Sequence, residues 1–188
     1  MRVIAGTAKR LLLKTVSGLE TRPTTDRIKE TLFNIIQNEL CEVRFLDLFA
    51  GSGAIGIEAL SRGASEAVFV EHNREAVQCI KDNLITTNFI LRGNILQMDV
   101  MAALEKLKCG PPFDVVFMDP PYHQGWDIKI VTYLANSEVI TDDTLLIIEA
   151  AKETNFDDIG TIGFSLLKRK EYKTNAHLFL QREKGAKQ

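Results

Sequence analysis

The chain has 188 residues, of which 45% are apolar and 26% are charged, and its formal net charge is −2. This length and composition fit one globular domain, or one domain with a short extension, and exclude a large multidomain machine, a disordered chain and a collagen-like fibre. No apolar run approaches the roughly 20 residues of a membrane-spanning helix. The first residues lack the apolar core of a secretion signal, so we expect a cytoplasmic protein.

The predicted elements begin with a basic N-terminal region. Residues 2–5 and 10–13 are predicted to pair as a small hairpin, and residues 25–40 are predicted to form one helix with an apolar stripe. From residue 43 onward, short apolar runs alternate with helical patterns. The predicted strands are 43–49, 66–71, 94–98, 113–118 and 144–149, and the helices between them are 53–62, 73–86, 100–107 and 126–135.

The C-terminal part of the sequence has a different pattern. Residues 164–170 and 176–182 are β-rich and flank a short polar gap, as expected for a hairpin. The alternation of strands and helices that precedes them is typical of a parallel sheet. The sequence therefore predicts an α/β protein with a doubly wound, mostly parallel sheet, a C-terminal antiparallel hairpin and a small N-terminal extension.

Charge is distributed unevenly along the chain. Residues 1–30 carry a net charge of +4 and residues 168–188 carry +5, which leaves −11 for the middle. Lys and Arg neutralise phosphates, so basic ends on an acidic body fit a nucleic-acid partner, although basic ends also keep a protein in solution. The three cysteines and three histidines show no ligand spacing, so neither a disulfide framework nor a metal site is predicted.

A glycine-rich segment follows the first strand of the alternating region and opens its first helix. Gly51, Gly53 and Gly56 match the pattern G-x-G-x-x-G, and Glu71 ends the next predicted strand. Glycine lets the backbone turn sharply and approach a ligand, and an acid at the second strand end can bind ribose hydroxyls. Because strand, helix and acid occur in this order, the segment predicts a nucleotide-like ligand.

The acid before the glycines discriminates between nucleotide-like ligands. Asp47 places a carboxylate beside the predicted pocket, where it would repel a pyrophosphate and attract an amino group or a sulfonium. S-adenosylmethionine carries both cations and is therefore the predicted cofactor, with NAD(P) as the alternative. Asp99 directly follows the third predicted strand and is placed to accept a hydrogen bond from the exocyclic amine of an adenine.

A second motif, Asp119-Pro120-Pro121-Tyr122, follows the fourth predicted strand. Ligands of open α/β sheets lie beyond the carboxyl ends of the strands, so we expect this loop to face the same crevice as Gly51. The prolines stiffen the loop and lack N–H donors, so the Asp119 carboxylate and a proline carbonyl form a rigid pair of acceptors for an NH₂ group. Tyr122 offers a flat ring on which a base can stack.

At these motifs the chain resembles a known family. Asp-Pro-Pro-Tyr downstream of Asp-Leu-Phe-Ala-Gly-Ser-Gly looks like the amino-group methyltransferases, and residues 22–34, 46–53 and 56–64 resemble the RsmD family. The resemblance runs from Arg2 to about Glu149. It implies a Rossmann-like class I methyltransferase that uses S-adenosylmethionine. The implied substrate is the N2 amine of one guanine, guanine 966, in 16S rRNA of the bacterial small ribosomal subunit.

The resemblance also implies a domain division and roles for single residues. Residues 1–40 would be the N-terminal extension and residues 41–188 the methyltransferase domain. The implied cofactor-binding residues are Asn34, Asp47, Phe49, Ala50, Gly51, Gly53, Glu71 and Asp99. The implied catalytic residues are Asp119, Pro120 and Tyr122, and the implied substrate-binding residues are Lys9, Arg10, Arg22, Thr24, Arg27 and Pro121. Neither a metal nor a membrane is implied. Further candidate RNA contacts are Lys14, Lys168, Arg169, Lys170 and Lys173.

Three alternatives stay open at this point. The first is an NAD(P) oxidoreductase with the same glycine loop. The second is an amino-methyltransferase that acts on N6 of DNA adenine or on a protein glutamine amide, because an NH₂ acceptor pair does not identify the group behind the amine. The third is a non-catalytic RNA-binding module, which the intact acids at 47, 71, 99 and 119 disfavour. The short chain leaves little room for the separate target-recognition domain that DNA enzymes of this class need.

Overall fold

A computed structural model of the chain describes residues 1–16, 26–122 and 124–185. The chain divides into two compact units, Met1–Val100 and Met101–Gln188. In both units strands and helices alternate as the sequence predicts. The division of the chain at residue 40 stays a prediction.

The first unit contains three parallel strands in the order β3-β2-β1. Its elements are α1 (Asp26–Ile35), β1 (Arg44–Leu48), α2 (Ala54–Ser61), β2 (Glu66–Val70), α3 (Arg74–Thr86) and β3 (Gly93–Leu96), with a short 3₁₀ turn at Gln37–Glu39. Helix α2 is buried along its whole length, whereas α3 buries one face. Helix α3 begins where predicted because the Asn73 side chain accepts hydrogen bonds from the N–H groups of Glu75 and Ala76.

The prediction of one helix over residues 25–40 is wrong at its C-terminal end. Helix α1 ends at Ile35, and a 3₁₀ turn follows at Gln37–Glu39. The β-branched pair Ile35-Ile36 and the nearby Asn38 have low helix propensity, which the apolar stripe did not reveal. Residue 25 lies outside the described residues.

The predicted N-terminal hairpin is present in a short form: Arg2 and Leu12 form an antiparallel bridge, and beside it the N–H groups of Val3 and Arg10 donate to the carbonyls of Leu11 and Val3, both at 2.9 Å. Helix α2 holds the backbone between the two paired ends. The N–H groups of Ile4 and Ala5 donate to the two carboxylate oxygens of Glu58, at 2.8 and 3.0 Å. The N–H of Thr7 donates to the Ser61 carbonyl at 2.8 Å. Residues 2–14, which we call the N-terminal arm, are therefore packed onto α2 within the first unit.

The second unit contains four strands in the order β4-β5-β7-β6. Helix α4 (Val100–Leu107) begins at the boundary between the units, and α5 is Trp126–Ala135. The strands are β4 (Phe113–Met118), β5 (Ile140–Ala151), β6 (Phe164–Glu171) and β7 (Asn175–Arg182), and a 3₁₀ segment spans Asp157–Ile162. Strands β4 and β5 are parallel, whereas β7 is antiparallel to both β5 and β6. The predicted fold class, a mostly parallel Rossmann-like α/β fold with a C-terminal antiparallel hairpin, is confirmed.

Candidate active site

The glycine-rich segment forms a tight turn between β1 and α2. Phe49, Gly51 and Gly53 have φ angles of 63°, 55° and 76°. These values lie in the left-handed region, which residues other than glycine rarely adopt. A Cβ on Gly53 would lie 3.2 Å from Ile80, whereas a Cβ on Gly51 would meet no atom within 4 Å. Open space therefore adjoins the backbone at Gly51, where a ligand can approach closely.

Glu71 lies against this turn, as the sequence pattern predicts for an acid at the end of β2. Its Oε2 accepts a hydrogen bond from the Gly51 N–H at 2.9 Å, and its Oε1 accepts one from the Asn73 N–H at 2.8 Å. The residue is only 8% exposed. An ionised carboxylate has about four acceptor positions, so hydroxyl groups of a ligand could share both oxygens. The structure thus brings together two of the predicted cofactor-binding residues.

Asp47 is placed differently from what its predicted role suggests. It is 1% exposed, and its Oδ2 accepts a hydrogen bond from the Gly56 N–H in the first turn of α2, at 2.9 Å. Burial raises the pKa of this carboxyl from 3.8 to about 7. The hydrogen bond from Gly56 opposes this shift, and the charge of Glu71 adds a smaller increase. In this structure Asp47 fixes the start of α2 relative to β1. Its contact with a cofactor stays a prediction.

The raised pKa of Asp47 makes stability depend on pH. Because the folded pKa lies above the unfolded value, the folded state favours the neutral acid, and stability falls as pH rises from about 4 through about 7. Asp47→Asn keeps an oxygen for the Gly56 N–H and cannot ionise. We expect the free energy of unfolding of Asp47→Asn, relative to that of wild type, to increase from pH 4 to pH 8 by on the order of 4 kcal/mol at most. Urea unfolding at both pH values measures this difference, and a difference that does not change with pH would contradict the assignment.

Gly56, the third glycine of the motif, serves packing rather than ligand approach. A Cβ at this position would lie 2.3 Å from Cε1 of Phe69, so α2 packs on β2 through the bare glycine. We expect Gly56→Ala to destabilise the protein by about 1–3 kcal/mol, measured by urea unfolding. Gly160→Ala is the control, since nothing lies within 4 Å of its added Cβ. Equal stability of the two variants would contradict this account.

The second motif directly follows β4. Pro120 is buried, Asp119 is half-buried, and Pro121 and Tyr122 are exposed, with Tyr122 at 40%. The parallel register pairs Met118 with Ile148, so Asp119 stands level with the residue that follows Ile148 on β5. The loop therefore presents its acid at the carboxyl end of β4, and α/β proteins bind ligands at the carboxyl ends of their parallel strands.

That residue on β5, Glu149, belongs to a buried network that the sequence analysis missed. Its Oε2 is 3.1 Å from Nε2 of His177, and Nδ1 of His177 is 3.1 Å from the Tyr172 hydroxyl. His177 is fully buried and packs edge-on against Phe117, with ring centroids 6.1 Å apart. Burial, together with Glu149, raises the pKa of Tyr172 to about 12. No short motif links these residues, so nothing in the sequence pointed to the network.

The remaining predicted site residues lie in several places. Asp99 is exposed and directly precedes α4, and Asn34 and Arg27 are exposed on α1. Lys9 and Arg10 are exposed on the N-terminal arm. Ala50 is buried beside the turn, where its N–H donates to the Val70 carbonyl at 3.0 Å. The predicted residues Arg22 and Thr24 lie outside the described residues.

Two of the candidate RNA contacts have partners within their own units. The Arg169 guanidinium donates to the carbonyls of Lys152 and Thr154, at 2.6 and 3.3 Å. The Lys14 ammonium forms an exposed ion pair with Asp82 at 2.7 Å. Lys168, Lys170 and Lys173 are exposed on or directly after β6. The lysines near β6 are thus better candidates for phosphate contacts than Arg169.

The described residues contain neither a grouped set of metal-binding side chains nor a helix suited to a membrane. Within residues 1–16, 26–122 and 124–185, no three His, Cys, Asp or Glu side chains are grouped so that they could hold a metal ion. Over the same part of the chain, no helix is long and apolar enough to cross a membrane.

The fold, the glycine turn with Glu71 and the Asp-Pro-Pro-Tyr loop define the class of Rossmann-like methyltransferases. A family model described as "Conserved hypothetical protein 95" matches residues 1–181. Ribosomal RNA small subunit methyltransferase D of Escherichia coli K12 is 33% identical over 183 residues, which cover 97% of this chain and 90% of that protein. YlbH of Bacillus subtilis is 38% identical over 172 residues, which cover 91% of this chain and 92% of that protein. The solved structure of yhhF from Escherichia coli superposes with a TM-score of 0.86 at 33% identity, and the match covers 97% of this chain and 98% of that one.

The chain therefore belongs to the family that this model and these relatives represent, the RsmD family.

Proposed function

We propose that this protein transfers a methyl group from S-adenosylmethionine to the exocyclic N2 amine of a specific guanine in 16S rRNA, by resemblance guanine 966. The observation that carries the chemistry is the position of Asp119 and Pro120 directly after β4, where the proposal makes them a pair of hydrogen-bond acceptors for the amine. The substrate class is supported by the 33% identity, over 97% of the chain, to a protein named Ribosomal RNA small subunit methyltransferase D.

The residues around the glycine turn fit a nucleoside cofactor. Glu71 offers a carboxylate beside the turn, and a Cβ on Gly51 would meet open space, which leaves room for a ligand against the backbone. In the proposal Glu71 accepts hydrogen bonds from ribose hydroxyls and Asp99 accepts one from the adenine amine. When bound, S-adenosylmethionine supplies a methyl group that is activated by the sulfonium charge.

The acceptor pair makes the amine reactive. The nitrogen of a guanine NH₂ group is a weak nucleophile because its lone pair is conjugated with the ring. Hydrogen bonds donated to the Asp119 carboxylate and the Pro120 carbonyl pull the nitrogen towards tetrahedral geometry and localise that pair. Positive charge then develops on nitrogen, and both acceptors stabilise it. The methylated nitrogen loses a proton, which Asp119 or water accepts.

The target base has to leave its stack to reach these acceptors. Unstacking costs a few kcal/mol, part of which stacking on the half-exposed Tyr122 ring would return. Methyl transfer also requires the reacting carbon and nitrogen to come within about 3–3.5 Å of each other. The exposed Lys9, Arg10, Lys168 and Lys170 would contact RNA phosphates.

Methylation of defined substrates tests the proposal. The purified protein is incubated with methyl-labelled S-adenosylmethionine and either naked 16S rRNA, assembled small subunits or duplex DNA, and the products are digested and separated. We expect label in N2-methylguanosine from rRNA or subunits and none in DNA. Label in N6-methyladenine of DNA, or in a methylated glutamine of a subunit protein, would contradict it. Membership of a methyltransferase family argues against the NAD(P) alternative.

A further inference from the structure

A buried asparagine on α3 joins two distant parts of the first unit. Asn83 is fully buried, and its Oδ1 accepts a hydrogen bond from the Lys14 N–H at 2.8 Å. Its Nδ2 donates to the Lys14 carbonyl at 3.1 Å and to the Ser52 carbonyl at 2.9 Å. A carboxamide offers one acceptor oxygen and two donor hydrogens. All three functions of this side chain are thus used on the backbone of two other segments.

One of these segments is the glycine turn. Ser52 lies between Gly51 and Gly53, whose left-handed conformations shape the turn. The Gly51 N–H is held by Glu71, and the Gly53 N–H donates to the Ala50 carbonyl at 2.7 Å. The contact with Asn83 fixes the carbonyl between them. A change in this contact would therefore alter the turn to which the proposed function assigns the cofactor.

The other segment is the N-terminal arm, which α2 holds at an earlier point. Gly6 has a φ of +81°, and a Cβ on it would lie 1.8 Å from the Ser61 carbonyl oxygen, so the arm touches α2 there through a bare glycine. The N–H of Ala8 donates to Oγ of Ser61 at 3.0 Å. The exposed Lys9 and Arg10 lie between this contact and Lys14. The arm thus presents its basic residues between two buried attachments, at Ser61 and at Asn83.

We propose that Asn83 is a positioning residue that couples the N-terminal arm to the glycine turn, so that RNA bound to the arm increases cofactor affinity. The proposal rests on the proposed function for the identity of both ligands. Local opening of the arm and its docked form are the two states involved. RNA favours the docked form, in which Asn83 holds the Ser52 carbonyl. By reciprocity, the cofactor increases RNA affinity by the same factor.

Three single variants and one double variant separate this coupling from a general loss of stability. Gly6→Ala displaces the arm at α2 without changing Asn83 or the turn. Asn83→Leu removes the tie itself. Asp82→Ala is the matched control, because it breaks the exposed ion pair of Lys14 and leaves the Asn83 hydrogen bonds in place. The dissociation constant of S-adenosylmethionine is measured by calorimetry, with and without a 16S rRNA fragment that contains the target guanine. Hydrogen exchange of the Gly51 and Gly53 amides is measured in parallel.

We expect Gly6→Ala and Asn83→Leu each to weaken cofactor binding about tenfold and to abolish the tightening by RNA. The double variant Gly6→Ala/Asn83→Leu should bind the cofactor no more weakly than Asn83→Leu does. Asp82→Ala should behave as wild type. In wild type, RNA should slow exchange at Gly51 and Gly53. Unchanged cofactor affinity and amide exchange in Gly6→Ala, or RNA that leaves both unchanged in wild type, would overturn the coupling. A wild-type protein that binds no S-adenosylmethionine would instead overturn the proposed function. Amide exchange at Gly51 and Gly53 in Gly6→Ala would still show whether the arm is coupled to the glycine turn.

Discussion

Replacing Asp119 with alanine is expected to lower the turnover number by about 10²–10³-fold or more. The carboxylate accepts a hydrogen bond from the target amine and faces the positive charge that develops on nitrogen, so its removal destabilises the transition state. The affinity for S-adenosylmethionine should stay nearly unchanged, because the proposed cofactor contacts lie in the first unit, at Glu71 and the glycine turn. Single-turnover methylation of the rRNA substrate measures the first effect, and calorimetry measures the second.

Two further variants make the Asp119 experiment specific. Asp119→Asn keeps one acceptor oxygen and removes the charge, so its rate should lie between those of wild type and Asp119→Ala. Asp114→Ala removes an exposed acid from the same strand, β4, and should retain the wild-type rate. A normal rate in Asp119→Ala would show that the acceptor pair is not the source of catalysis.

Replacing Glu58 with alanine is expected to destabilise the folded protein by about 3–5 kcal/mol. Glu58 and Lys29 are both fully buried and 3.3 Å apart, and the Lys29 ammonium also donates to the Arg2 carbonyl at 2.6 Å. Burial lowers the pKa of Lys29, and Glu58 acts in the opposite direction. Without the carboxylate, a buried cation loses its partner, and the N–H groups of Ile4 and Ala5 lose their acceptor.

Urea unfolding at neutral pH measures the loss in Glu58→Ala. Glu105→Ala is the control, since Glu105 also pairs with a lysine, Lys108, which directly follows α4, but is about half exposed. Exposed pairs contribute about 0–1 kcal/mol, so this control should lie close to wild type. A loss in Glu58→Ala no larger than that in the control would mean that the buried pair does not anchor the N-terminal arm.

Much of the fold could be predicted because its boundaries are local. Helices α4 and α5 and strand β4 have the predicted bounds, and prolines stand on both sides of β4. Strand β5 is longer than predicted, because Ile140 pairs with Phe113 of β4 and the polar residues 141–143 form the irregular stretch between this pair and the pair Leu145–Val115, which gives no strand pattern in the sequence. The end of α1 was also mispredicted, because the apolar stripe did not reveal the low helix propensity of Ile35, Ile36 and Asn38.

The candidate site was predictable only where motif and strand end coincide. Gly51 and Glu71 could be assigned together because the fold places consecutive parallel strand ends side by side. Asn83, Glu58 and His177 could not be assigned, because a single polar residue within a helix or strand gives no sign of burial or of its partner. For Asp47 the motif identified the residue but not its contact. Only the structure shows that Asp47 accepts a hydrogen bond from the Gly56 N–H.

The most direct test of the whole account is a map of the methylated nucleotides in small-subunit rRNA from cells with and without this gene. Loss of the gene should remove one N2-methylguanosine from 16S rRNA and leave the other modifications unchanged. Expression of the wild-type chain should restore it, and expression of Asp119→Ala should not. An identical methylation map in both strains would contradict the proposed reaction.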